Sequence, residues 1–97
     1  MSFVLVVRMR AQEGKEDEVA AAMAELTEAT RQEPGCEHYI PCRSQEDPRS
    51  FLFYEQYADK AAFEAHGASE HFQRIAVGRL FPLLEEGRER VFYDTLL

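Results

Sequence analysis

Ninety-seven residues are enough for a single domain with a modest core. Eighteen acidic against 11 basic side chains leave a net charge of -7, which argues against a nucleic-acid partner, because phosphate binding needs clustered lysine and arginine. No apolar run approaches the roughly 20 residues of a membrane span. The N-terminal Met1-Ser2-Phe3-Val4-Leu5-Val6-Val7 lacks the basic lead of a secretory signal, so no membrane contact and a cytoplasmic location are expected.

Phe3 to Arg10 reads as a strand, with Phe3, Leu5, Val7 and Met9 on one face and Val4 and Val6 on the other. Ala11 to Gly14 supplies a turn. From about Lys15 to Gln32, Val19, Ala22, Met23, Leu26, Ala29 and Thr30 recur at helical spacing, while Glu16, Asp17, Glu25, Glu28 and Arg31 make a solvated face. Pro34-Gly35 stops this helix. Cys36 to Arg43 is the second strand, with Cys36, His38, Ile40 and Cys42 opposed to Glu37, Tyr39 and Pro41. Pro41 cannot donate to a ladder, which places the strand at an edge or at a bulge. Extended chain separates Cys36 and Cys42 by roughly 20 Å, beyond disulfide reach. Both are expected to point to one face as small hydrophobes, and no closer pair completes a zinc set.

Gln45-Glu46-Asp47-Pro48-Arg49 is turn chemistry leading into a third strand, Phe51 to Tyr57. Ala58 to His66 is a short helix ended by Gly67. Ser69 is the expected N-cap of a second helical piece, Glu70 to about Leu80, with Phe72, Ile75, Ala76 and Leu80 inward. Pro82 and Gly87 bound it. Arg88 to Leu97 forms the last strand, with Val91, Tyr93 and Thr95 opposed to Phe92, Asp94 and Leu96. The order β-α-β-β-α-β is the ferredoxin-like α+β arrangement, with a four-stranded antiparallel sheet covered by helices on one face. The first and third strands are apolar on both faces, so Val4, Val6, Leu52 and Tyr54 need a second cover. A homodimer with sheet laid against sheet would provide it.

Several stretches together resemble the antibiotic biosynthesis monooxygenase (ABM) domain family of the dimeric α+β barrel superfamily. They are Val4-Leu5-Val6-Val7 to Gly14, Arg31-Gln32-Glu33-Pro34-Gly35-Cys36 with Tyr39, Asp47-Pro48, Phe51 to Tyr57 with Glu55, and Ala62-Phe63 to His66 with Ser69-x-His71-Phe72. In order, they span essentially the whole chain. The resemblance implies one ABM-like domain over residues 1–97, a dimeric α+β barrel, and a pocket between sheet and helices in each subunit. It also implies oxidation of a quinol, anthrone or related polyphenol by dioxygen, with no metal or flavin. Other branches of the family degrade haem, isomerise small phosphorylated signals or have no known activity, so the resemblance fixes fold better than substrate.

A cofactor-free oxygenase needs a positioned base to make an electron-rich anion, a dry pocket, and donors for the developing oxyanion. His66, at the end of the helix that overhangs the sheet, is the first candidate base, although a histidine there also suits a helix C-terminus. Glu55, among aromatics on the third strand, is the second. It acts as a base if burial raises its pKa, or else pairs with Arg8, Arg74 or Arg79. Phe53, Tyr57 and Phe63 offer the flat surface a polyphenol stacks on, and His71 and Phe72 complete the expected pocket. No metal site is expected, since the i, i+4 histidine spacing is absent, and His38 belongs to a strand face. The quinone-forming branch places an amide and a tryptophan along the third strand, where this chain has Phe53 and Tyr57. The haem-degrading branch has a tryptophan and an axial histidine where this chain has His66 and Ala76, so haem chemistry is not expected. Two further readings keep the fold: a non-catalytic module that binds a small aromatic ligand, and a proton-shuttling isomerase using His66 with Glu55 or His71.

Overall fold

The computed structural model describes all residues, Met1–Leu97. In chain order the elements are β1 (Phe3–Arg10), α1 (Glu16–Thr30), β2 (Cys36–Arg43), β3 (Ser50–Tyr57), α2 (Lys60–Ala68), α3 (Phe72–Leu80) and β4 (Glu89–Asp94). The strands form one antiparallel sheet in the order β2-β3-β1-β4, and the chain is a ferredoxin-like α+β domain. Pro41 therefore sits on an edge strand, where its missing donor costs no ladder bond on the outer side.

Alternation decides which side chains meet the helices. Leu5, Val7 and Met9 of β1, Tyr39 of β2 and Phe51 and Phe53 of β3 are buried against Val19, Ala22, Met23 and Leu26 of α1 and Ile75, Ala76 and Leu80 of α3. Arg31, just past α1, ties that helix to the edge strand by donating from Nε and Nη2 to the Tyr39 carbonyl at 3.1 and 2.9 Å.

The two cysteines do not share a face. Cys36 pairs with Tyr57 and His38 with Gln56, so Glu37 is an extra residue bulged out of β2. The bulge turns Cys36 to the helix side, where it packs on the core, while Cys42 stays exposed on the other side beside Ile40. Burial raises the Cys36 thiol to about 11, so it is a packed thiol rather than a nucleophile.

The second helical region begins as expected, with Ser69 Oγ accepting from the Phe72 N–H at 3.2 Å. Its winding differs: α3 is a π-helix, closed by the Phe81 N–H bonding to the Ala76 carbonyl five residues back. Ile75, Ala76 and Leu80 still face inward. β4 ends at Asp94, short of the expected Leu97, because Thr95 turns to the N-terminus. Its N–H donates to the Ser2 carbonyl at 3.0 Å and its Oγ1 accepts from the Ser2 N–H at 2.7 Å.

The sheet face away from the helices carries Val4, Val6, Leu52, Tyr54, Ile40, Val91 and Tyr93. Val4 is buried between its neighbours on β3 and β4, Val6, Leu52 and Tyr54 are half-buried, and Ile40, Val91 and Tyr93 are exposed.

Candidate functional site

Between the covered sheet face and the helices lies a cavity of about 470 Å³, within the usual range for a small-molecule site. Twelve of its 17 lining residues are hydrophobic, among them Leu5, Val7, Phe53, Phe63, Phe72 and Leu80. The polar lining is therefore sparse, and each polar group bears on orientation. These are His66, Glu55, Arg88 and Arg90.

α2 delivers His66. Asp59 caps the helix by accepting from the Ala62 N–H at 2.9 Å, and Ser69 Oγ and N–H both donate to the His66 carbonyl, at 2.7 and 3.1 Å. The imidazole does not serve the helix terminus. It is 2% exposed, lies against the rings of Tyr39, Tyr57 and Phe72, and places Nδ1 at 2.8 Å from Glu33 Oε2. Its Nε2 is buried without a partner. Burial lowers the His66 pKa, with the nearby Glu33 carboxylate opposing that shift. Burial thus favours the neutral imidazole, and one ring nitrogen is left without a partner.

Glu55 sits on β3 behind Tyr57, whose Oη donates to Oε1 at 2.6 Å. Burial raises the carboxyl to about 7, while the Tyr57 bond and the charges of Arg90 and Arg88 hold it down. The arginine partners expected from sequence are engaged elsewhere: Arg74 pairs with Glu70 at 2.9 Å and Arg79 with Glu25, and Arg8 points to the opposite face of β1. Burial also pushes the phenols of Tyr39 and Tyr57 well above their ordinary pKa, so both remain donors rather than bases near neutrality.

Of the residues expected to form the site, His66, Glu55, Phe53, Phe63 and Phe72 line one cavity. Tyr57 is fully buried beneath it, with its ring edge-on to Phe63. His71 is outside the lining and partly exposed, with Nε2 at 2.5 Å from the same Glu33 oxygen that meets His66. Glu33, His66 and His71 bring three ligand atoms within 4.8 Å of one another, a grouping of donor types that suits a metal. One nitrogen of each ring meets a single carboxylate oxygen, so the three groups hold one another by hydrogen bonds.

Sequence reasoning missed Glu33, Tyr39, Arg88 and Arg90. Arg88 and Arg90 precede Phe92 at alternate positions, so the period of β4 carried the signal: all three belong to the helix side. The Arg88 guanidinium lies over the Phe81 ring, 3.7 Å from its centroid. Glu33 sits in an aperiodic turn, where spacing gives no direction.

The fold and this cavity define a class: a small ferredoxin-like α+β subunit enclosing a largely apolar pocket between sheet and helices, with a buried imidazole. The family model for antibiotic biosynthesis monooxygenase matches residues 2–77. The chain belongs to that family, ABM. A crystal structure of an antibiotic biosynthesis monooxygenase is 32% identical, with a TM-score of 0.90 over 98% of this chain and 99% of that one. Protein SO0527 from Shewanella oneidensis is 34% identical, with a TM-score of 0.86 over 95% of this chain and 88% of that one. The uncharacterised protein sll1783 of Synechocystis is 29% identical over 72 residues. That match covers 74% of this chain and 49% of sll1783, so the chain spans about half the length of that relative.

Proposed function

We propose that this protein is a cofactor-independent monooxygenase that oxidises a quinol, anthrone or related polyphenol with dioxygen. The observation that carries the reading is the free, buried Nε2 of neutral His66 on the wall of a mostly apolar cavity. His66 Nε2 takes the phenolic proton, which leaves an electron-rich phenolate able to give an electron to dioxygen. Phe53, Phe63 and Phe72 hold the ring system and keep water out. Arg88 and Arg90 stabilise the negative charge that develops on substrate oxygen. Glu55, raised to about 7, returns a proton when the product forms.

The subunit works as a homodimer. Val6, Leu52, Tyr54, Val91 and Tyr93 lie side by side on the sheet face that no helix covers, an apolar row of the kind that marks an interaction surface. A second sheet laid on it removes that exposure, as in a dimeric α+β barrel. Sedimentation should give twice the chain mass, and a monomer at all concentrations would sink this part.

The test of activity is oxygen uptake by metal-stripped protein against hydroquinones, dihydroxynaphthalenes and anthrones, beside a His66→Ala variant. Catalysed uptake that falls about 10²- to 10⁴-fold in the variant supports the reading. Uptake no faster than the substrates' own autoxidation rejects it. Product formation without oxygen consumption would instead indicate an isomerase working between His66 and Glu55.

A further inference from the structure

We infer that Glu33 is the positioning residue of this site: its carboxylate fixes the tautomer of His66, so that Nε2 carries the lone pair facing the cavity. The inference rests on the reading of His66 as the base and extends it to a residue outside the cavity wall.

Glu33 lies in the turn between α1 and β2, 33 positions from His66, and reaches it at 2.8 Å. An ionised carboxylate only accepts hydrogen bonds. The short contact to His66 Nδ1 therefore requires a proton on Nδ1, and a neutral ring has only one to give. Nε2 is left unprotonated, buried and without a partner.

His71 adds a second contact to the same carboxylate. Its Nε2 meets the same Oε2 at 2.5 Å, so two donors converge on one oxygen and fix its position. The Glu33 side chain is only 15% exposed and that of His71 20%.

The consequence for catalysis follows from charge. When Nε2 takes a proton from a phenol, His66 becomes an imidazolium in a low-dielectric pocket, and the carboxylate 2.8 Å away is its counter-ion. The proton leaves the substrate O–H, the bonding pair stays on oxygen, and the positive charge forms next to Glu33. Tyr39 and Tyr57, packed on the ring at centroid distances of 5.4 and 5.5 Å, limit its rotation but offer it no charge.

The first readout does not depend on activity. The histidine ring nitrogens of the free protein, labelled with ¹⁵N, report the tautomer of His66 directly. Wild type is expected to show a protonated Nδ1 and an unprotonated Nε2. Glu33→Leu removes the acceptor and is expected to move the proton to Nε2. Glu33→Gln keeps an acceptor oxygen without the charge, and is expected to retain the wild-type tautomer.

The second readout uses whichever phenolic substrate supports oxygen uptake. Glu33→Leu is expected to lower kcat about 100-fold or more with KM within about threefold, while Glu33→Gln loses about tenfold. An Nε2–H tautomer in wild type overturns the inference. So does Nδ1–H persisting in Glu33→Leu, or a switched tautomer with unchanged kcat. Should the leucine variant fail to fold, the wild-type tautomer and the glutamine kcat decide. Absence of uptake in every protein would reject the oxygenase reading alone, because the tautomer is read in the resting protein.

Discussion

On the helix side of β3, Phe51, Phe53, Glu55 and Tyr57 are all buried, whereas on the other side of the same strand Ser50, Leu52, Tyr54 and Gln56 all stay half-exposed. The two rows are interleaved in one stretch of chain and each mixes large apolar or aromatic side chains with polar ones, so composition alone does not separate them. What separates them is cover. The covered row lies under three helices that leave a cavity, and its one carboxyl is pushed to about 7. The open row keeps solvent around its polar groups, and its tyrosine hydroxyl bonds to Gln56 at 2.9 Å. Strand identity thus supplies the residues, while the layer above them decides whether they line a cavity or stay at the solvent.

The sharpest way to break this comparison is to truncate adjacent residues on the two rows. Phe53 faces the cavity with its ring 4.7 Å from that of Tyr39, and Phe53→Ala is expected to destabilise the subunit by about 3–5 kcal/mol. Leu52→Ala, one position away, is expected to cost about 1 kcal/mol or less in a dilute sample. If the open face is a dimer interface, the same change raises the dimer dissociation constant, so the loss grows with protein concentration. Denaturant unfolding at several concentrations separates the two. Equal, concentration-independent losses would mean that the faces are equivalent.

Glu55 sharpens the comparison through pH. Its carboxyl titrates near 7 in the folded chain against 4.5 for the ordinary group, so between those values the native state keeps a proton that the unfolded chain has lost. This contribution is full below about pH 4.5 and is lost as pH rises through 7, a fall of about 3 kcal/mol. His66 acts in the opposite direction: its pKa is lowered by burial, so its contribution is full above the ordinary histidine range and is lost as pH falls through it. Glu55→Gln should flatten the Glu55 limb, measured as the difference from wild type in stability between pH 4.5 and 7. A variant with the wild-type slope would show that Glu55 is not titrating there.

Much of the covered face was legible in the sequence. The alternation of Phe3, Leu5, Val7 and Met9, the helical spacing of Val19 to Leu26, and the inward set Ile75, Ala76 and Leu80 all survive in the fold. Periodic elements announce their buried side because burial repeats at the period of the element. The misses lie where periodicity breaks. A bulge at Glu37 reversed Cys36; Pro41 had allowed for a bulge in this strand, but nothing at Cys36-Glu37-His38 marked its place. Wide winding of α3 preserved its inward residues and so left no trace in the pattern. Glu33 follows the end of α1, in a turn whose direction is set by packing at Gly35 rather than by the side chains themselves.

That packing supplies the smallest and most local test. The carbonyl of Gly35 accepts from the Ala58 N–H at 2.9 Å, which brings the turn against the start of α2. A Cβ at Gly35 would lie 2.4 Å from the Cβ of Ala62, so no side chain fits unless α2 moves. The backbone itself has no positive φ there, so the constraint is space and not conformation. Gly35→Ala is expected to cost about 1–3 kcal/mol through overpacking. Ala62→Gly alone should cost about 0.5–1 kcal/mol through helix propensity. Together they should cost less than their sum, because the second removes the methyl that the first strikes. For the proposed activity the consequence follows from position: Gly35 is two residues from Glu33, and Ala62 lies one turn before His66 on α2. Gly35→Ala should therefore lengthen the Glu33–His66 contact and lower kcat, and Ala62→Gly in the same chain should restore both. Additive losses in stability, with no recovery of kcat, would mean that the turn and the helix are not in register through this contact and that Glu33 is held by His71 alone.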